Sequence, residues 1–218
     1  MSKKNQEFEV YHFEDEVVNS ALSEGSTKLL IYRPQREMIV LGRGSNPEIE
    51  IELDRCLSDE VSLYRRRGGG CSVVLDPGNV IVTVAIPVSG IGENSRYFNI
   101  ISRWLMVNLA KIGVKEVYQD GISDLVIKNH KIAGASIYRR KGLLHYSASI
   151  LVNPQLKMVD RYLKHPPREP KYRNGRGHME FIKSISNGDN FKDALEIEMA
   201  LKKTASVEDL KKLVSVKP

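Results

Sequence analysis

The chain has little cysteine and no long apolar run. Cys56 and Cys71 are its two cysteines. With no CxxC pair and no HExxH, neither a disulfide framework nor a zinc site has a basis. The N-terminus, MSKKNQEFEVYHFEDE, has no apolar core after its lysines and does not read as a signal peptide. The longest apolar stretch, Val80–Val88, is broken by Thr83 and Pro87. It is far shorter than the roughly 20 residues of a membrane helix. The expectation is a cytoplasmic protein with reduced thiols and no membrane partner. No GxxxxGK[ST] occurs, and no GxGxxG follows a strand, which excludes two common phosphate cradles.

What is present is globular. The 218 residues are 41% hydrophobic and 28% charged, enough for one domain with a small appendage. Lys+Arg number 33 against 27 Asp+Glu, a formal net charge of +6. That balance suits an anionic partner: a nucleotide, a nucleic acid or an acidic protein.

Local pattern gives the elements. Glu14–Leu22 reads as an amphipathic helix ending at Gly25. Lys28–Tyr32 and Glu37–Leu41 are β-rich runs on either side of Pro34-Gln35, read as a hairpin. Val61–Arg66 is a strand running into Gly68-Gly69-Gly70. Asn79–Val88 is rich in β-branched residues and fits a strand buried on both faces. In Ser95–Ile112, Phe98, Ile101, Leu105, Leu109 and Ile112 recur at helical spacing, and Gly113 stops the helix. Asp124–Lys128, Lys131–Arg139 and Leu143–Val152 are strand-like, with turns at Asn129-His130 and Lys141-Gly142. A short helix closes at Tyr162-Leu163-Lys164, Asn190 onward is helical, and Ser206 with Asp209 resembles a capping box. The class is α+β (mixed α/β), with a mainly antiparallel sheet.

The segment Arg65-Arg66-Arg67-Gly68-Gly69-Gly70-Cys71 stands out. Consecutive glycines cost backbone entropy and are justified where a ligand approaches the main chain. Their N–H groups can form an anion nest, and adjacent arginines add charge-assisted hydrogen bonds. A flexible turn beside a solvated basic face fits the composition equally well.

Longer motifs favour the cradle. YRRRGGGCSVVLDPGNVIVT resembles the lipoate-binding signature of lipoate–protein ligases, RRxSGGGAVxHDxGN. GISDLVIKNHKIAGAS resembles that family's second signature, NDLxxxxxKxxGxA, and GRGSNP resembles the GRxQNP run that precedes both. Order and spacing match over Val40–Asn153. The resemblance implies a class II aminoacyl-tRNA-synthetase-like, biotin–lipoate ligase catalytic core over residues 1–187, with a helical C-terminal extension over 188–218.

It also implies roles. Arg65 and Arg66 match the contacts to the carboxylate or acyl-phosphate end. Gly69, Gly70 and Cys71 would line the acyl chain and adenylate, and Asp76 and Asn79 match the signature aspartate and the adenylate-binding asparagine. Asp124 matches the acidic residue near Mg2+ and adenine. Lys131 matches the essential lysine, with the small residues Gly134 and Ala135 leaving room for substrate. The implied substrates are ATP and lipoate, and the implied partner is a lipoyl carrier: a lipoyl domain, a glycine cleavage H protein or a related lipoate-binding protein. Leu75 replaces the usual histidine and Gly68 the usual serine. The chain after Asn153 is too short for the family's accessory domain as well as the rest of the core, so a separate accessory chain is one expectation.

Octanoyltransferases share this fold and use a cysteine nucleophile. Both of their cysteine positions are empty here, so an ATP-dependent ligase is preferred. A GRGRxGR-type loop, expected of a biotin ligase, is not matched. The loop HPPREPKYRNGRGH carries Arg168, Lys171, Arg173, Arg176 and His178. It reads as a lid facing ATP phosphates, as a patch facing an acidic carrier, or as a solvated face. A basic nucleic-acid-binding module is the alternative from another class, although no such motif is present. His145, in an apolar run, reads as a core or supporting histidine.

Overall fold

The computed structural model describes residues 8–90, 92–187 and 193–215. In chain order the strands are β1 (Glu9–Val10), β2 (Lys28–Tyr32), β3 (Met38–Leu41), β4 (Ser62–Arg65), β5 (Val73–Leu75), β6 (Asn79–Pro87), β7 (Tyr118–Asp120), β8 (Asp124–Ile127), β9 (His130–Arg140) and β10 (Leu143–Leu151). The helices are α1 (Asp15–Glu24), α2 (Pro47–Glu50), α3 (Leu53–Ser58), α4 (Asn94–Lys111), α5 (Leu156–Tyr162), α6 (His178–Phe181), α7 (Ala194–Thr204) and α8 (Val207–Ser215).

Strand β6 is buried along its length until Pro87. It pairs antiparallel with β2 on one side and β10 on the other, inside a sheet ordered β2-β6-β10-β9-β8-β7. Val80, Val82 and Val84 point to one face, where Ile101, Trp104, Leu105 and Leu109 of α4 meet them. Ala194, Ile197 and Leu201 of α7 and Leu210 of α8 join the same core. The spacing that predicts α4 is therefore the stripe it buries, and Gly113 at φ +93 ends it. Trp104 Nε1 donates to the Ser206 carbonyl at 3.1 Å, and Ser206 Oγ accepts from Asp209 N, which caps α8. Residues 188–192, where the sequence places the start of the C-terminal helical segment, lie outside the described residues.

The expected hairpin of Lys28–Tyr32 with Glu37–Leu41 does not form. β2 edges the large sheet, whereas β3 sits in a second sheet ordered β1-β4-β3-β5, parallel to β4 and antiparallel to β5. The reason is that β3 is apolar on both faces. Met38 and Val40 pack on Ile81 of the large sheet, while Ile39 and Leu41 pack on Ile51, between α2 and α3, and on Cys56 and Tyr162 of the outer helices. A strand with two apolar faces needs a cover on each. The turn between β8 and β9 falls one residue earlier than read: Lys128 and Asn129 carry it, at φ +46 and +63. Positive φ at both central residues suits a two-residue hairpin turn. No helix among the described residues is long and apolar enough to cross a membrane.

Candidate active site

The β8–β9 hairpin builds the centre. Leu125 and Val126 of β8 pair with Ala133 and Lys131, so Ile132 is an extra residue on β9, a bulge of the kind common beside functional sites. Asp124, 8% exposed, meets Lys131 across the hairpin: Nζ lies 2.8 Å from Oδ1. The lysine's far end lies over Gly134, where a Cβ would stand 2.8 Å from both Cε and Nζ. The Lys131 carbonyl accepts from Lys183 N at 3.0 Å, which fixes its backbone. The other Asp124 oxygen, Oδ2, accepts from Tyr172 OH at 2.9 Å.

The glycine loop lies over the next part of β9. A Cβ on Gly68 would meet Ser136 Oγ at 2.8 Å, and one on Gly42 would meet the Gly70 carbonyl at 1.9 Å. The loop is held from behind. Arg66 donates to the carbonyls of Val40, Gly69 and Cys71, at 2.7–3.1 Å for its closest contact with each. Ser45 Oγ donates to the Gly70 carbonyl at 3.2 Å and accepts from Gly42 N. Glu50 Oε2 accepts from both Ser72 N and Ser72 Oγ, at 2.7 and 2.8 Å. Arg65 donates to the Gly42 and Ser45 carbonyls. Three successive carbonyls are thus tied back. No acceptor among the described residues takes the N–H of Gly69, Gly70 or Cys71. Gly70, at φ +90, turns the chain through a conformation that a side chain would strain. Successive amides without an acceptor in such a turn can form an anion nest.

Other expected residues have different work. Asp76 Oδ1 accepts from Gly78 N and Oδ2 from Gln155 N, both at 2.7 Å. Asn79 Oδ1 accepts from Asp76 N, and its Nδ2 donates to Ser149 Oγ at 3.2 Å. Both are buried, so they build the β5–β6 turn. Asn79 approaches the site only through Ser149, the residue paired with Gly134. Ala135 does not join Lys131: the extra β9 residue, Ile132, reverses the alternation after Lys131, so Gly134 shares the lysine's face while Ala135 turns to the core and its carbonyl accepts from Ser123 Oγ. The arginines read as substrate contacts spend their bonds on loop carbonyls. Cys71 lies within electrostatic reach of Lys131, but burial, then the nearby Glu50 charge, pushes its thiol upward. A raised pKa disfavours the thiolate a nucleophile needs.

The Pro-rich basic segment folds over the β8–β9 hairpin. Arg176 donates to the Asn129 carbonyl at 3.0 Å and to the Tyr172 carbonyl at 2.8 Å. Arg173, 4% exposed, and Arg176 flank the Phe181 ring. His178 Nε2 lies 3.1 Å from the Lys164 carbonyl. These residues organise the segment from inside, and Arg168 and Lys171 are left exposed.

On the same face of the sheet, Glu14 and His145 form a buried cluster. Glu14 Oε1 accepts from Ser147 Oγ at 2.6 Å and from Tyr32 OH, which shares a hydrogen bond with Tyr11. Its Oε2 lies 3.2 Å from His145 Nε2, which is also 2.7 Å from Thr83 Oγ1. Burial pushes Glu14 up to about 7 and His145 down to about 4. His145 is the buried supporting histidine the sequence suggests, and Ser45 sits in the GRGSNP run, whereas Tyr172, Glu50 and Glu14 escape sequence reasoning. These three lie outside every signature, and their contacts form only in three dimensions.

Comparisons with known proteins place the chain in a family and a fold. A family model for the lipoyl protein ligase A/B catalytic domain matches residues 7–212. The lipoate-protein ligase A of Psychrobacter cryohalolentis is 28% identical over 158 residues, 72% of this chain and 44% of that protein. The chain therefore matches less than half of that relative's length. An archaeal bi-partite lipoate protein ligase structure, from Thermoplasma acidophilum with its E2 lipoyl domain, superposes with a TM-score of 0.73. It is 21% identical, over 93% of this chain and 79% of that one. A lipoate-protein ligase A bound with ATP superposes at 0.67 with 20% identity, over 90% and 85% of the two chains. Both share this fold.

Proposed function

Since the chain belongs to the lipoyl protein ligase A/B catalytic-domain family, we propose that it is an ATP-dependent lipoate–protein ligase. The observation that carries the reading is Lys131, held by Asp124 and seated over Gly134 beside the open amides of the glycine loop.

In the first half-reaction the lipoate carboxylate attacks the ATP α-phosphorus, pyrophosphate leaves and lipoyl-AMP forms. In the second, the ε-amine of a carrier lysine attacks the acyl carbonyl, AMP leaves and an amide forms. Negative charge grows on oxygen in both steps. The N–H groups of Gly69, Gly70 and Cys71 are fixed donors for that charge and need little reorganisation, and Lys131 adds its positive charge by turning from Asp124 toward the developing oxyanion. Arg66, Ser45 and Glu50 keep the amides aimed. With Cys71 held as a thiol, the reading needs no protein nucleophile.

Among the described residues no group of three or more His, Cys, Asp or Glu is arranged for a metal. Asp124 alone fits a magnesium ion carried in with the nucleotide, because Mg2+ takes one or two carboxylates plus phosphate oxygens. Bound there, it would neutralise phosphate charge.

The acceptor in this reading is a lipoyl-domain-type carrier, the class named with the archaeal neighbour. The test is incubation with ATP, Mg2+, lipoate and candidate carriers, followed by intact-mass measurement. One lipoyl group added per carrier, only with ATP, supports the proposal. Acyl transfer from an acyl-carrier donor without ATP overturns it.

A further inference from the structure

Tyr172 lies in the basic segment, remote in sequence from every motif, yet its hydroxyl reaches the centre of the site. It donates to Asp124 Oδ2 at 2.9 Å while Lys131 Nζ lies 2.8 Å from Oδ1. The three groups form a line: phenol, carboxylate, ammonium. The line is anchored at the phenol end. The Tyr172 ring packs on Phe181 with centroids 5.0 Å apart, and its carbonyl accepts from Arg176, which also grips the Asn129 carbonyl in the β8–β9 turn. Pro170 closes against Gly121 from the other side: a Cβ there would meet Pro170 Cβ at 3.1 Å.

From this geometry we infer that Tyr172 is a positioning residue for Lys131, acting through Asp124. The inference rests on the ligase reading for its kinetic consequence.

Asp124 must present one oxygen to the lysine and keep the other occupied. An isolated carboxylate can rotate about its terminal torsion and present either oxygen to the lysine. A donor fixed on Oδ2 removes that freedom and leaves Oδ1 for Nζ. When the lysine turns its charge toward a developing oxyanion, Asp124 loses part of its partner. The phenol stays and keeps the carboxylate hydrogen-bonded, which lowers the cost of leaving a buried acid partly unpaired.

The test compares the wild type with Tyr172→Phe, Asp124→Asn and the double variant. Phe keeps the ring packed on Phe181, and melting curves check that the fold is retained. Two quantities are measured: pyrophosphate release with ATP, Mg2+ and lipoate, and the acetylation rate of Lys131 by acetic anhydride relative to exposed Lys171, read by peptide mass spectrometry. Tyr172→Phe should lower kcat about tenfold with both KM values little changed, and it should change the relative acetylation rate of Lys131. In the Asp124→Asn background the same substitution should do neither, since groups acting as one unit are not additive.

An unchanged Lys131 reactivity, or equal losses from Tyr172→Phe in both backgrounds, would overturn the inference. Absence of pyrophosphate release by the wild type would sink the ligase reading, and the acetylation arm would still decide the role of Tyr172.

Discussion

Gly134 supplies the space that Lys131 occupies: a methyl group in its place would stand 2.8 Å from the lysine Nζ and 3.6 Å from Asp124 Oδ1. The glycine therefore matters for where a charge sits rather than for a turn. Its backbone is ordinary strand, and the clash falls on the far end of a flexible side chain, which can move away cheaply.

Gly134→Ala should separate stability from activity. Thermal unfolding should shift by only a few degrees, because the lysine swings aside instead of the strand distorting. Adenylate formation should fall about 100-fold, the scale of loss from moving a catalytic group by about 1 Å. Differential scanning fluorimetry beside a pyrophosphate-release assay measures both. A melting loss that accounts for the whole activity loss would contradict this use of Gly134.

Ser45 bridges Gly42 N and the Gly70 carbonyl, so it ties the GRGS turn to the glycine loop. Ser45→Ala removes both bonds at a cost of about 1–2 kcal/mol. The loop amides should then bind anions less well, and KM for ATP or lipoate should rise several-fold with kcat changed less. Steady-state kinetics distinguishes this from a general loss of active enzyme, which would lower kcat alone.

The Glu14–His145 pair opposes itself in pH. Glu14 is raised from an ordinary 4.5 to about 7, so its stabilising contribution is full below 4.5 and lost as pH rises through 7. His145 is lowered from 6.5 to about 4, so its contribution is present above 6.5 and lost as pH falls through 4. Between those limits the two trends offset. Glu14→Gln keeps an acceptor for Ser147 and Tyr32 and leaves the histidine's trend alone. The variant should melt about 5 °C above the wild type at pH 8, equivalent to about 1–2 kcal/mol. That advantage should disappear by pH 5. Parallel melting-versus-pH curves for the two proteins would disprove the pairing.

Parts of this were readable from the chain. The α4 stripe of Ile101, Leu105 and Leu109, the buried run of β6 and the stop at Gly25 follow from periodicity and from the freedom of glycine. Lys131, Asp124, Gly134 and the glycine loop were marked by motif. The place of β3 was not readable, because pairing between sheets depends on partners far along the chain. Nor were the roles of Asp76 and Asn79: the motif names residues without saying whether a side chain faces a ligand or its own turn. Tyr172 and Glu50 had no signal beyond their polarity. Each acquires a role only when the segment carrying it folds back, over β8–β9 or against Ser72.

In the proposed reaction Lys131 supplies the positive charge for acyl activation. The direct measurement is lipoyl-AMP formation by Lys131→Ala, with ATP, Mg2+ and lipoate and no carrier, alongside its circular dichroism and melting curve. The expected result is a folded variant that makes no detectable lipoyl-AMP. Adenylate formation at the wild-type rate by that variant would contradict this role of Lys131.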